Sequence, residues 1–194
     1  MKTVNVNIVI VGVGGQGTLL TSKILAQLAM EEQFGVKVSE VHGMAQRGGS
    51  VITHVRIGET VHAPLVASGN ADYLLAFEPL EAARAISYLK KDGTLIVNSQ
   101  RIAPITVLSG AAGYPEQPHR KAVTETQPVE EMDAFALATE AGSYRAVNLV
   151  LLGALSRHLP FTAEDWDAAI ASCVPPRTLE VNRKAFQAGR NYTA

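Results

Sequence analysis

Gly12-Val13-Gly14-Gly15-Gln16-Gly17-Thr18 stands between a β-branched run and a run with helical apolar spacing. A Gly-x-Gly-x-x-Gly in that setting lets the backbone turn tightly, and the free amides of the helix that follows attract phosphate or carboxylate. Glu40 lies 23 residues beyond the last glycine. In dinucleotide-binding folds an acid about 20 residues on grips a ribose hydroxyl. Two chemistries are open at this point. One is NAD or FAD binding with Glu40. The other is a helix N-terminus that faces a partner chain, a carboxylate or a thioester, with Gly15 and Gln16 marking a close approach. The lysine of a P-loop is missing, so an NTPase is poorly supported.

A second polar, glycine-rich segment, Val41-His42-Gly43-Met44-Ala45-Gln46-Arg47-Gly48-Gly49-Ser50, follows Glu40 directly. Its glycines allow backbone to come close to whatever the Arg47 guanidinium holds, an anion or an interface carboxylate. His42 is either a proton donor or a hydrogen-bonding anchor of the loop. His54 and His62 flank a turn and could face each other across a hairpin. The five histidines form no His-Glu-x-x-His pair, and no Gly-x-Ser-x-Gly elbow exists. Zinc hydrolase and serine hydrolase chemistry are therefore unsupported. Lys90-Lys91, Arg120-Lys121 and Arg183-Lys184 are isolated basic pairs without interleaved aromatics, which argues against nucleic-acid binding.

The elements that position these residues are legible as an alternation. Val4–Val11 reads as a strand buried on both faces, and residues 19–34 as a helix ended by Gly35. Val36–Val41 is a second strand, so the first forty residues predict one βαβ unit. Ser50–Ile57 alternates cleanly and predicts a half-exposed strand near a sheet edge or under a partner. Residues 60–67 predict a return strand or extended loop. Asp72–Phe77 is a buried strand; Glu78-Pro79 opens a helix that runs to about Lys90. Asp92-Gly93 turns the chain into the strand Thr94–Asn98. A short strand is expected near Lys121–Thr124. Helices are then expected over about 129–141, 146–157, 162–172 and 176–189, with Thr162 capping the third. The fold class is α/β: a three-layer, largely parallel sheet with helices on both faces and a helical C-terminal third, as a single domain over 1–194.

The chain has 194 residues, 47% hydrophobic and 18% charged, with a net charge of −1. That composition supports a real core and excludes disorder, while the weak net field gives no general attraction to nucleic acid or anionic membranes. The sole cysteine, Cys173, cannot close a disulfide within the chain or ligate an iron–sulfur cluster by itself. No run reaches the ~18 apolar residues of a membrane span, and residues 1–7 lack the pattern of a secretory leader. A soluble, cytoplasmic protein is expected.

Taken together, Val11–Gly17 and Ser39–Ser50, with His54-Val55-Arg56, Asp72–Pro79, Asn148–Leu155 and Glu180–Phe186, resemble the γ-type subunit of the 2-oxoacid:ferredoxin oxidoreductases. The His-Gly-Met-Ala-Gln-Arg-Gly-Gly form is most similar to the β subunit of the indolepyruvate branch. The resemblance implies thiamine-dependent oxidative decarboxylation of an aryl pyruvate, with coenzyme A accepting the acyl group and ferredoxin the electrons. It also implies that a large partner subunit carries thiamine diphosphate and the iron–sulfur clusters, and that this chain holds neither. The residues agree. The sole Asp-Gly, Asp92-Gly93, has Asn98 too close behind it for the thiamine diphosphate pattern of Gly-Asp-Gly and a distant Asn. On this reading Gly12, Gly14, Gly15, Gln16, Gly17 and Thr18 bind coenzyme A or another anion. His42, Gln46, Arg47, Gly48 and Gly49 meet substrate or the partner, with no catalytic residue and no metal in this chain. The alternatives are a stand-alone NAD-dependent dehydrogenase and a non-catalytic interaction module.

Overall fold

A computed structural model describes residues 4–43 and 48–193. Six strands form one sheet: β1 (Asn5–Val13), β2 (Gly35–His42), β3 (Ser50–Gly58), β4 (Ala71–Ala76), β5 (Leu89–Asn98) and β6 (Val129–Met132), in the order β2-β3-β1-β4-β5-β6. The pairs β1/β4, β4/β5 and β5/β6 are parallel, and β3 runs antiparallel to both its neighbours. The sheet is therefore mixed but largely parallel, as expected.

Helix α1 (Thr18–Glu31) and the C-terminal helices α5 (Ala134–Glu140), α6 (Val147–Ser156), α7 (Ala163–Cys173) and α8 (Leu179–Asn191) cover one face. The other face carries α2 (Pro79–Ala85) and α4 (Pro118–Ala122); α3 (Ile105–Leu108) is a single turn in the long segment after β5. The two cores divide by strand parity. Ile8 and Ile10 join α1, α6 and Trp166, whereas Val9 and Val11 join Ala82, Ala85 and Leu95. Helix α6 is buried along its whole length, as its apolar sequence requires. Thr162 and Asp165 form a reciprocal capping box at the start of α7.

Several expectations are corrected. The first βαβ unit is opened: β2 is parallel in direction to β1, but β3 lies between them. Strand β3 lies one place in from the sheet edge, between β2 and β1, but is mostly buried rather than half-exposed. His54 is 4% exposed, because Nδ1 accepts the Val66 amide and the ring meets Tyr88 edge-on. The edge belongs to β2, whose residues are half-buried or exposed. Residues 60–70 form an extended loop with no return strand, so His54 and His62 do not flank a hairpin.

The helix after Pro79 ends at Ala85. One 3-10 turn follows, and Lys90 already lies in β5, paired with Asp72 at 2.5 Å. Asp92-Gly93 is part of β5, at a register shift against β4; a side chain at Gly93 would meet the Ala71 carbonyl at 2.9 Å. Residues 121–124 are no strand: α4 runs to Ala122 and Val123–Thr124 leave it as loop. Val129–Met132 is strand β6 rather than the start of a helix. The helix begins only at Ala134, where the Asp133 carboxylate accepts the Ala136 amide. Glu130 and Glu131 anchor β6 from its two sides, the first to Arg157 and His158, the second to Arg120.

Candidate functional site

Parallel strands β1, β4 and β5 deliver their C-terminal ends to one edge of the sheet, where open α/β sheets place their ligands. Gly12 and Val13 end β1, and residues 14–17 make the crossing into α1. Gly17 is left-handed at φ 94°, and Gly15 at φ 103°; both conformations favour glycine. Gly17, at the N-cap of α1, has no side chain to offer the amides of the first turn.

Two members of the glycine motif serve the fold instead. The Gln16 amide turns inward: its oxygen accepts the Val13 amide at 2.7 Å and its nitrogen donates to the Phe77 carbonyl at 3.1 Å. Asn98, fully buried at the end of β5, donates to the same carbonyl and accepts the Ala134 amide. These two carboxamides lock the ends of β1, β4 and β5 together. Gly12 is required by this packing, since a methyl group there would sit 2.9 Å from Gln16 Oε1 and 3.0 Å from Phe77 Cβ.

Clefts flank the N-terminus of α1. One, of 500 Å³, is lined by Gly15, Gly17, Leu20, Gln100, Ile102, Phe135, Tyr144, Arg145 and Asn148. Asn148 packs against Gly17, is 3% exposed, and has no hydrogen-bond partner for its carboxamide among the described residues. Phe135 and Tyr144 stack at 5.9 Å between ring centroids on the rim, with the Arg145 guanidinium over Tyr144. The other cleft, of 480 Å³, lies toward β2 and is lined by Gly14, Gly15, Gly17, Thr18, Leu19, Glu40, His42 and Val51. Its charge is the exposed Glu40 carboxylate, which accepts from Thr53 Oγ1 at 3.3 Å and disfavours an anion there.

The second predicted segment approaches the first. The Gly14 amide donates to the Gly49 carbonyl at 2.8 Å, and Gly48 is left-handed at φ 77°. His42 ends β2, exposed, with Nδ1 against its neighbour's carbonyl at Gly43. Met44, Ala45, Gln46 and Arg47 lie outside the described residues. Ser50 starts β3 and donates to Glu81 of α2, which also accepts from Arg84. Glu78, at the N-cap of α2, holds the Leu80 and Glu81 amides with one oxygen. Its other oxygen accepts the Ile102 amide and the Tyr114 hydroxyl. Burial and that carboxylate push the Tyr114 phenol well above its ordinary pKa.

Motif reading missed Asn148, Phe135, Tyr144, Arg145 and the two α2 carboxylates. Asn148 left one signal, as the single polar residue in the apolar run Val147–Leu155.

Cys173 closes α7, partly buried, and burial raises its pKa. Among the described residues no group of three His, Cys, Asp or Glu side chains could hold a metal ion. Among the same residues no helix is long and apolar enough to cross a membrane.

Residues 7–192 match the profile of the pyruvate ferredoxin/flavodoxin oxidoreductase family. The chain belongs to that family. Within it, the chain is 45% identical over 188 residues to the indolepyruvate oxidoreductase subunit IorB of Thermococcus kodakarensis, spanning 94% of this chain and 93% of that one. It is 28% identical to the 2-oxoglutarate synthase subunit KorC of Methanothermobacter thermautotrophicus, over 98% of this chain and 96% of the other. Among solved structures, the gamma subunit of a keto/oxoacid ferredoxin oxidoreductase from Geobacter sulfurreducens superposes with a TM-score of 0.73 at 26% identity, covering 95% of both chains. The oxidoreductase subunit fold therefore extends over nearly the whole chain.

Proposed function

We propose that this chain is the small, cofactor-free subunit of an indolepyruvate:ferredoxin oxidoreductase. The assembled complex decarboxylates an aryl pyruvate oxidatively, passes the acyl group to coenzyme A and the electrons to ferredoxin. The observation that carries the choice of substrate is the gap between 45% identity to an indolepyruvate subunit and 28% to a 2-oxoglutarate subunit, each over nearly the full chain. A single thiol at the end of α7 cannot ligate an iron–sulfur cluster, which supports assigning the clusters, and thiamine diphosphate with them, to a larger partner chain. Thiamine diphosphate supplies the carbanion chemistry of decarboxylation there. The cytoplasm is the compartment assigned, since it keeps a lone thiol reduced.

This chain's own contribution is to bind and orient. The amides at the N-terminus of α1 and the Asn148 carboxamide, unpartnered among the described residues, suit the phosphates of coenzyme A. Arg145 adds positive charge, and Phe135 and Tyr144 offer flat apolar surface to a heteroaromatic ring. His42 and Gly49, whose carbonyl accepts the Gly14 amide, border the same edge, and we assign the segment between them to substrate or the partner. A stand-alone NAD-dependent dehydrogenase is not favoured, because family membership covers the whole glycine motif and Gln16 and Gly12 have internal roles.

Calorimetric titration of the purified chain, and of the complex, with NAD and with coenzyme A tests this reading. Coenzyme A should bind the complex, and Asn148→Ala should weaken it; NAD should give no micromolar isotherm. A micromolar NAD isotherm abolished by Glu40→Ala would make the dehydrogenase reading the better one.

A further inference from the structure

We infer that α2 is a positioning helix whose two buried carboxylates, Glu78 and Glu81, set the loops on either side of the glycine turn. Glu78 is 1% exposed and Glu81 is 4% exposed. Carboxylates buried so deeply are unfavourable unless their oxygens are fully engaged, and apolar residues would serve a core better. Capping a seven-residue helix needs one oxygen, and Glu78 Oε2 supplies it to the Leu80 and Glu81 amides.

Two of the remaining oxygens reach out of the helix to separate loops, and the last accepts from Arg84. Glu78 Oε1 accepts from Ile102 N at 3.2 Å and from the Tyr114 hydroxyl, fixing the segment after β5. Ile102 and its neighbour Gln100 form one wall of the cleft beside Gly17. Glu81 Oε2 accepts from Ser50 Oγ at 2.5 Å, next to the Gly49 carbonyl that receives the Gly14 amide. The glycine turn thus sits between two walls, and one short helix fixes the spacing of both. Helix formation alone does not require either contact.

The inference rests on the anion-site reading above, and the test separates the two. In the complex with its large partner, Ser50→Ala and Tyr114→Phe should each raise the KM for coenzyme A about tenfold, equivalent to about 1.4 kcal/mol. Neither should change kcat, and Ser50→Thr, which keeps the hydroxyl, should restore the KM. In the full chain alone, hydrogen exchange of the amides of residues 14–17 and 48–50 should quicken in Ser50→Ala and return to normal in Ser50→Thr. Unchanged exchange and unchanged KM in Ser50→Ala would overturn the positioning role, as would a fall in thermal stability with no change in either. A wild-type complex that failed to turn over any 2-oxo acid would sink the functional reading, while the exchange result would still decide the role of α2.

Discussion

Gly12 and Gly17 carry the same residue type in one motif for different physical reasons. At Gly12 a side chain has no room, because the Gln16 carboxamide and Phe77 already occupy the space. At Gly17 the backbone is left-handed and Asn148 lies 3.1 Å from where a Cβ would stand. Gly12→Ala should therefore lower stability by about 1–3 kcal/mol, the usual range for overpacking, read from urea denaturation of the isolated chain. Gly15→Ala meets open space but keeps a strained φ, and should cost about 1 kcal/mol, as glycine-only backbone conformations do.

A second residue-scale test uses pH. Burial holds the His54 pKa below its ordinary value, and Nδ1 accepts the Val66 amide, so the folded state keeps the ring neutral. The unfolded chain takes up a proton below about pH 6.5 that the folded chain refuses. Stability from this residue is thus full above that pH and declines as pH falls below it. Urea midpoints at pH 7.5 and 5.5 should differ more in the wild type than in His54→Gln. Equal differences would place the pH dependence elsewhere.

At the scale of elements, helices α6 and α8 pack so closely that their backbones touch. A methyl group on Gly189 would overlap the Val150 carbonyl, and one on Gly153 would overlap the Phe186 carbonyl. Gly189→Ala should cost about 3 kcal/mol, the upper end for overpacking, and appear as a lower melting temperature with α8 loosened in hydrogen exchange. Neither glycine is legible as a contact in sequence, because each stands inside an ordinary helical pattern. The strands β1, β4 and the second half of β5 are legible, because burial on both faces leaves continuous β-branched and leucine runs. The burial of β3 is not. Its alternation describes a strand with one polar face, but His54 and Thr53 are buried by partners far along the chain, Val66 and Tyr88 for the histidine. The strand β6 hides for a related reason. Four residues before a helix carry too little pattern, and what makes them a strand is pairing with Leu95–Asn98. The glycine turn itself was legible as a candidate site, whereas Asn148, Phe135, Tyr144 and Arg145 reach it from the C-terminal third only through tertiary folding.

At the scale of the whole molecule, the sheet gathers its glycine turn, a cleft lined by the Asn148 carboxamide and the Gly14–Gly49 backbone contact at one edge, while the chain's single thiol lies in α7. Such an edge fits the small subunit of a larger assembly, as the relatives are. The most direct test is reconstitution with the large partner chain, followed by indolepyruvate- and coenzyme A-dependent reduction of ferredoxin. The account predicts turnover when both chains are present and none from this chain alone, which should remain folded and colourless. Indolepyruvate oxidation by the isolated chain, or a brown iron–sulfur absorbance from it, would contradict the account.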